Sequence, residues 1–81
     1  MSETTYEHYA HLEALNIFCD KYEPATNADM MNTFSTIEIQ KIIRKDAGIN
    51  IALEKLSELL TQLQYNYLLE QGNCLWMVKS L

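Results

Sequence analysis

The stretch of residues 34–79 limits what this chain can fold into, because it carries start and stop signals for two helices and a hairpin. Ser35-x-x-Glu38 is a capping box: the Ser35 hydroxyl can accept the Glu38 amide, and the Glu38 carboxylate can reach back to the Ser35 amide. Gly48 predicts the end of this helix. Gly72-Asn73 joins two apolar runs, as in a two-residue hairpin turn. The stretch therefore predicts a helix, a tight turn, a second helix and a hairpin.

Apolar periodicity predicts the bounds of three helices. The first runs from about residue 5 to residue 22, the second from about 36 to 47 and the third from about 51 to 64. Thr4-x-x-Glu7 is a further capping-box candidate, and Asn50 can begin the third helix. The predicted buried faces are Leu12, Leu15, Phe18, Cys19 and Tyr22 in the first helix, Ile39, Ile42, Ile43 and Ala47 in the second, and Ala52, Leu53, Leu56, Leu59, Leu60 and Leu63 in the third.

The predicted hairpin has one strongly apolar face and one mixed face. With Gly72-Asn73 as the turn, Leu69 faces Trp76 and Tyr67 faces Val78 on the apolar side. The opposite side carries a spare apolar set, namely Leu68, Leu75 and Met77. A short extended segment near residues 30–33 could pair with this hairpin. Because one face is apolar, we expect it to pack on the helices.

Composition and charge describe a small acidic domain. Its 81 residues are 48% hydrophobic, which is enough to build one core. Residues 1–34 hold six acidic residues against Lys21 alone, whereas residues 35–81 hold five acidic and five basic residues. The net charge of −5 disfavours non-specific binding to polyanions. The N-terminus lacks the apolar segment of a signal peptide, and no apolar run is long enough to span a membrane. We therefore expect a cytoplasmic protein with reduced cysteines and no membrane partner.

Nothing in the sequence indicates catalysis. The chain has no Gly-rich phosphate loop and no nucleophile with an obvious base, so we expect no enzymatic activity, no small-molecule substrate and no cofactor. His8 and His11 are three residues apart on the first helix and could face the same side as metal ligands. No third or fourth ligand has a matching spacing. Solvent-facing histidines are the simpler interpretation, and we predict no metal site.

Three segments resemble winged-helix proteins. Residues 34–43 followed by residues 48–56 look like their helix-turn-helix, and Leu59-Leu60-x-x-Leu63-Gln64-Tyr65 looks like the end of their recognition helix. Residues 72–78 are similar to their returning wing strand. The chain also resembles small winged domains that are attached to replication proteins of phages and mobile elements. The resemblance rests on residue types and lengths, so it indicates a fold more specifically than a function.

The resemblance implies an α+β fold in one domain over residues 1–81. Three helices would be followed by a C-terminal β-hairpin wing, with the helix-turn-helix over about 35–64 and the wing over about 65–79. In such proteins the second helix of the motif enters the major groove and the wing touches the DNA backbone. This implies a nucleic-acid-associated role in regulation or replication. The residues that it places at DNA are Asn50, Lys55, Ser57 and Thr61 on the third helix, Lys41, Arg44 and Lys45 on the second, and Lys79 near the base of the wing.

A protein-interaction or dimerisation module is nearly as well supported by the same sequence. Glu54 and Glu58 share the exposed side of the third helix and would repel phosphates, and the wing tip carries no Lys or Arg. The acidic first helix and the spare set of Leu68, Leu75 and Met77 fit a protein partner or a homodimer. An acidic inhibitor from a phage or mobile element is a variant of this hypothesis.

Overall fold

The computed structural model describes the backbone of residues 3–81 and the side chains of residues 9–81. In this part of the chain, three helices pack against a four-stranded antiparallel sheet, which confirms the α+β class. In chain order the elements are α1 (Glu3–Cys19), β1 (Tyr22–Pro24), β2 (Asn32–Ser35), α2 (Thr36–Ala47), α3 (Leu53–Gln62), β3 (Asn66–Glu70) and β4 (Asn73–Ser80).

Helix α1 ends three residues before the predicted end at Tyr22. The reason is a distant strand: residues 22–24 form β1, which pairs with β4 in the register Tyr22 to Ser80. The predicted capping box at Thr4 and Glu7 lies outside the described side chains. Leu15 and Phe18 are buried, as the periodicity predicts, and the packing continues through Tyr22 although that residue is no longer helical.

Helix α2 has the predicted bounds because its signals are local. Ser35 Oγ accepts the Glu38 amide at 3.2 Å, and Glu38 Oε1 accepts the Ser35 amide at 3.1 Å. Gly48 ends the helix in the left-handed region, with φ of 71°, and its N–H donates to the Arg44 carbonyl. A side chain is disfavoured at this backbone geometry, which explains the glycine.

Helix α3 is shorter than predicted at both ends. Asn50 lies before the helix and does not cap it: the N-cap position is Ala52, which makes no side-chain cap. The connection is held instead by Gln40, whose Nε2 donates to the Ile51 carbonyl at 2.7 Å. Leu63 is the C-cap residue, so it lies just after the helix and not on its buried face, where the sequence places it.

Strand β4 is the centre of the sheet. Trp76 pairs with Phe34 of β2 and with Tyr67 of β3, so these two strands lie on opposite edges of β4. Val78 pairs with both β1 and β2, so β1 lies on the same edge as β3 and end to end with it. The pairing of β2 confirms the expected short strand, shifted to Asn32–Ser35. The β3–β4 hairpin is therefore part of a larger sheet and not a free-standing wing.

The hairpin turn lies one residue earlier than predicted. Its two residues are Gln71 and Gly72, both with positive φ (52° and 80°), and Glu70 pairs with Asn73. Positive φ at both positions defines a type I′ turn, whose twist suits a two-residue hairpin. Tyr67 thus faces Trp76, with ring centroids 5.3 Å apart, and not Val78. Because the partners shift by two residues, each side chain keeps its predicted face.

One core joins the helices to the Trp76 and Val78 side of the sheet. The 12 fully buried members of the cluster come from α1, α2, α3, β4 and the two connections that flank α3. They are Ala14, Leu15, Phe18, Ile39, Ile43, Ile51, Leu56, Leu59, Leu60, Tyr65, Trp76 and Val78. Of the predicted face of α3, only the three leucines Leu56, Leu59 and Leu60 are buried, while Ala52, Leu53 and Leu63 are exposed.

Candidate functional site

Three of the predicted DNA contacts form a cationic cluster on α2. Lys41, Arg44 and Lys45 are all exposed, and their i, i+3, i+4 spacing puts them on one face of the helix. None of the three makes an ion pair with a described side chain. We call this set the α2 cationic cluster. It is available to an anionic partner, although it also complements the dipole at the end of α2.

Lys79 is not part of this cluster, because two carboxylates already hold its ammonium group. Its Nζ lies 3.1 Å from Asp29 Oδ2 and 3.4 Å from Glu23 Oε1, and these contacts raise the pKa of Lys79. The Thr26 amide and the Lys79 ammonium lower the pKa of Asp29 to about 2. The predicted phosphate contact at Lys79 would have to compete with both acids. Its role in the structure is to tie the loop of residues 25–31 to β4.

The predicted base-reading residues do not form a positive surface on α3. Lys55 and Ser57 are half-buried, and the exposed Thr61 donates its hydroxyl to the Ser57 carbonyl at 2.9 Å. Asn50 is exposed but lies in the connection before the helix. The exposed face of α3 carries Glu54, Glu58, Thr61 and Gln62, so this face is acidic and would repel phosphates.

A groove of about 360 Å³ lies where the first turns of α2 and α3 meet the hairpin turn. We call it the hairpin groove. One wall is formed by the start of α2, the second by the start of α3, and the third by the turn that leads into β4. Its lining residues are Ser35, Thr36, Ile37, Leu53, Glu54, Ser57, Gly72, Asn73 and Cys74.

Two exposed aliphatic side chains stand among the polar lining residues of the hairpin groove. Ile37 is 50% exposed and Leu53 is 39% exposed, and they lie on different walls. Leu69, which is 72% exposed, pairs across the hairpin with Cys74 of the lining. Glu54 is the charged lining residue, and no Lys or Arg is among the lining residues. This arrangement can hold an apolar side chain and favours a neighbouring positive charge.

The predicted protein-interface set is only partly accessible in the structure. Met77 is only 5% exposed, and Leu68 and Leu75 are half-buried. The loop of residues 25–31 runs against this part of β4: the Ala25 amide donates to the Met77 carbonyl at 3.2 Å, and Ala25 is itself buried. The exposed apolar side chains of the hairpin are instead Tyr67 and Leu69, on the opposite face.

The remaining candidate groups are two histidines and two cysteines, of which Cys74 lines the hairpin groove. His11 is half-buried and its Nδ1 has no hydrogen-bond partner, while the side chain of His8 lies outside the described residues. Within residues 9–81 no three metal-binding side chains come together. Cys19 and Cys74 are free thiols, and burial raises the pKa of Cys74. These groups do not assemble a metal site among the described side chains.

Comparisons with protein-family models, with curated proteins and with solved structures found no match. Over the described part of the chain, no helix combines the length and the apolar character needed to cross a membrane. The geometry of the hairpin groove and of the α2 cationic cluster is therefore the basis for any functional proposal.

Proposed function

We propose that this protein is a non-enzymatic winged-helix module that binds another protein through the hairpin groove. The order of its elements supports the fold, since α2 and α3 follow each other closely and lead into the β3–β4 hairpin. Strand β2, which lies between α1 and α2, pairs with the second hairpin strand, as is often the case in winged helices. The central position of β4 follows from this pairing, and strand β1 is an addition to that arrangement.

The observation that carries the proposed activity is the composition of the hairpin groove. Exposed Ile37 and Leu53 line it together with Glu54, between α3 and the hairpin, where a DNA-binding winged helix would need positive charge. Apolar anchors buried in pockets carry much of the binding energy of protein interfaces, and charged residues lie mostly at the rim. The partner that fits is a protein segment with an apolar side chain next to a Lys or Arg.

Peptide selection followed by mutation tests this proposal. Peptides selected from a random phage-displayed library on the intact protein should be enriched in apolar residues next to Lys or Arg. Leu53→Lys should weaken the selected peptides by about tenfold or more, because it removes an apolar contact and adds repulsion. The measurement is isothermal titration calorimetry with a synthetic copy of the best peptide.

Leu63→Lys is the matched control, because Leu63 is 38% exposed and lies at the other end of α3. It should bind the peptide as the wild-type protein does. The proposal fails if no peptide is enriched over an unrelated domain. It also fails if both lysine variants weaken the peptide equally.

DNA binding is the second candidate, and the α2 cationic cluster favours it. With three phosphate contacts from Lys41, Arg44 and Lys45, the logarithm of the affinity should fall with the logarithm of salt concentration at a slope of about −3. Fluorescence anisotropy of a labelled duplex at low and moderate salt measures this slope. Lys41→Gln should reduce the slope by about one and should leave peptide binding unchanged. A duplex that does not bind even at low salt would eliminate this candidate.

A further inference from the structure

Strand β3 has an open edge. It pairs with β4 on one side, and no described strand lies on its other side. Strand β1 occupies the same edge of β4 but lies beyond the end of β3, where Asn66 Nδ2 donates to the Ala25 carbonyl at 3.0 Å. The whole length of β3, from Asn66 to Glu70, is therefore available to another strand.

The hairpin geometry decides which backbone groups point outward from this edge. In a type I′ turn the residues that flank the two turn residues are hydrogen-bonded to each other, here Glu70 and Asn73. Hydrogen-bonded and non-hydrogen-bonded pairs alternate along antiparallel strands. Leu68 therefore bonds to β4, while the N–H and C=O groups of Tyr67 and Leu69 point away from β4. Consistent with this alternation, Met77 directs its carbonyl toward the same edge, where it accepts the Ala25 amide.

The side chains on this edge do not protect it. Natural edge strands usually carry lysine, proline or a bulge that prevents pairing with other chains. Strand β3 has none of these: each of its five residues pairs with one residue of β4, and Glu70 is its one charged residue. Tyr67 is 52% exposed and Leu69 is 72% exposed. Both are residues that gain from cross-strand packing.

We propose that β3 pairs antiparallel with β3 of a second copy of this chain, about a twofold axis through Leu68. In this register Tyr67 of each copy faces Leu69 of the other, and Asn66 faces Glu70. The outward groups of Tyr67 and Leu69 then form four main-chain hydrogen bonds, and the two four-stranded sheets become continuous.

The sequence of β3 favours a second copy over an unrelated peptide, because the strand is self-complementary about its centre. The antiparallel register separates the two Glu70 carboxylates and gives each one an Asn66 amide as a neighbour, so like charges do not meet. It also places an aromatic side chain opposite an aliphatic one twice. The contact is small, so we expect a weak, concentration-dependent dimer. This inference is independent of the hairpin groove.

Sedimentation velocity over a concentration series tests the dimer. The wild-type protein should shift from monomer to dimer as its concentration rises. Leu69→Lys should raise the dissociation constant by about tenfold or more, because the substitution occurs twice in a symmetric interface. Leu63→Lys again serves as the control and should dimerise like the wild type. A protein that stays monomeric throughout, or a dimer that Leu69→Lys does not weaken, overturns the proposal.

Amide hydrogen exchange provides a second readout that does not depend on any variant. At low concentration the amides of Tyr67 and Leu69 should exchange fast, while that of Leu68 is protected by β4. At high concentration the first two should become protected. If dimerisation leaves them unprotected, the interface lies elsewhere and the proposed pairing is wrong.

Discussion

Trp76→Ala is expected to lower the free energy of unfolding by about 3–5 kcal/mol. The indole is 2% exposed and packs edge-on against Tyr67, and its Nε1–H donates to Thr36 Oγ1 at 2.9 Å. A domain of this size has a total stability of roughly 4–12 kcal/mol. The substitution would therefore remove about a quarter or more of the total stability, as measured by urea unfolding followed by circular dichroism.

Thr36→Val separates the hydrogen bond from the packing of Trp76. It keeps the shape of the side chain and leaves the indole N–H without its acceptor, so we expect a loss of about 1–3 kcal/mol. If Trp76→Ala costs no more than Thr36→Val, the indole does not have the central packing role that the structure assigns to it.

Tyr65→Phe is expected to lower the free energy of unfolding by about 1–3 kcal/mol at neutral pH, because it leaves the Tyr22 carbonyl without its hydrogen-bond donor. The Tyr65 hydroxyl donates to the Tyr22 carbonyl at 2.6 Å, and the Tyr65 side chain is only 5% exposed. This bond joins the start of β1 to the segment between α3 and β3. Thermal or urea unfolding of the two proteins at pH 7 measures the loss.

The same hydroxyl gives the domain an alkaline limit. Burial raises the pKa of Tyr65, and the adjacent Cys19 thiol adds to the effect. A tyrosine of the unfolded chain ionises near pH 10, so above that pH the unfolded state releases a proton that the folded state retains. The stabilisation is therefore complete below pH 10 and is lost as the pH rises further. Between pH 8 and pH 11, the free energy of unfolding should fall less steeply with pH for Tyr65→Phe than for the wild-type protein.

Tyr67→Phe is the control for this pH dependence, since Tyr67 is 52% exposed. Both variants lack one phenol, and both keep the carboxylate contacts that raise the pKa of Lys21 and of Lys79. The Tyr67→Phe protein should keep the wild-type slope. Equal slopes for the two variants would show that the alkaline loss does not come from Tyr65.

Local signals account for the parts of the fold that the sequence predicts well. Helix α2 has its predicted bounds, because a capping box starts it and a left-handed glycine ends it, and each of these signals lies within one turn of the helix end that it determines. The end of α1 depends on β4, more than fifty residues away, which recruits Tyr22 into a strand. Periodicity cannot detect that competition, so the prediction extends the helix too far.

In the hairpin, the exposure of each side chain is harder to predict than the side of the sheet that it faces. The turn takes Gln71 at positive φ in place of Asn73, and this shift allows Tyr67 to pack on Trp76. Alternation fixes which side of the sheet each residue faces, but exposure depends on what covers that side. Met77, whose carbonyl accepts the Ala25 amide from the loop of residues 25–31, is buried, whereas Leu69 is exposed. The apolar set available to a partner is therefore different from the predicted one.

The central position of β4 also bears on the order in which the chain can fold. Every other strand finds its partner in residues 73–80, and the first of these pairings closes a loop from residue 22 to residue 80. Such non-local contacts require the closure of a long loop, which costs conformational entropy before the contact stabilises the fold. Helices α2 and α3 need only contacts between residues that are close in sequence. During synthesis the two helices can dock early, while β1 and β2 remain unpaired until the last strand leaves the ribosome.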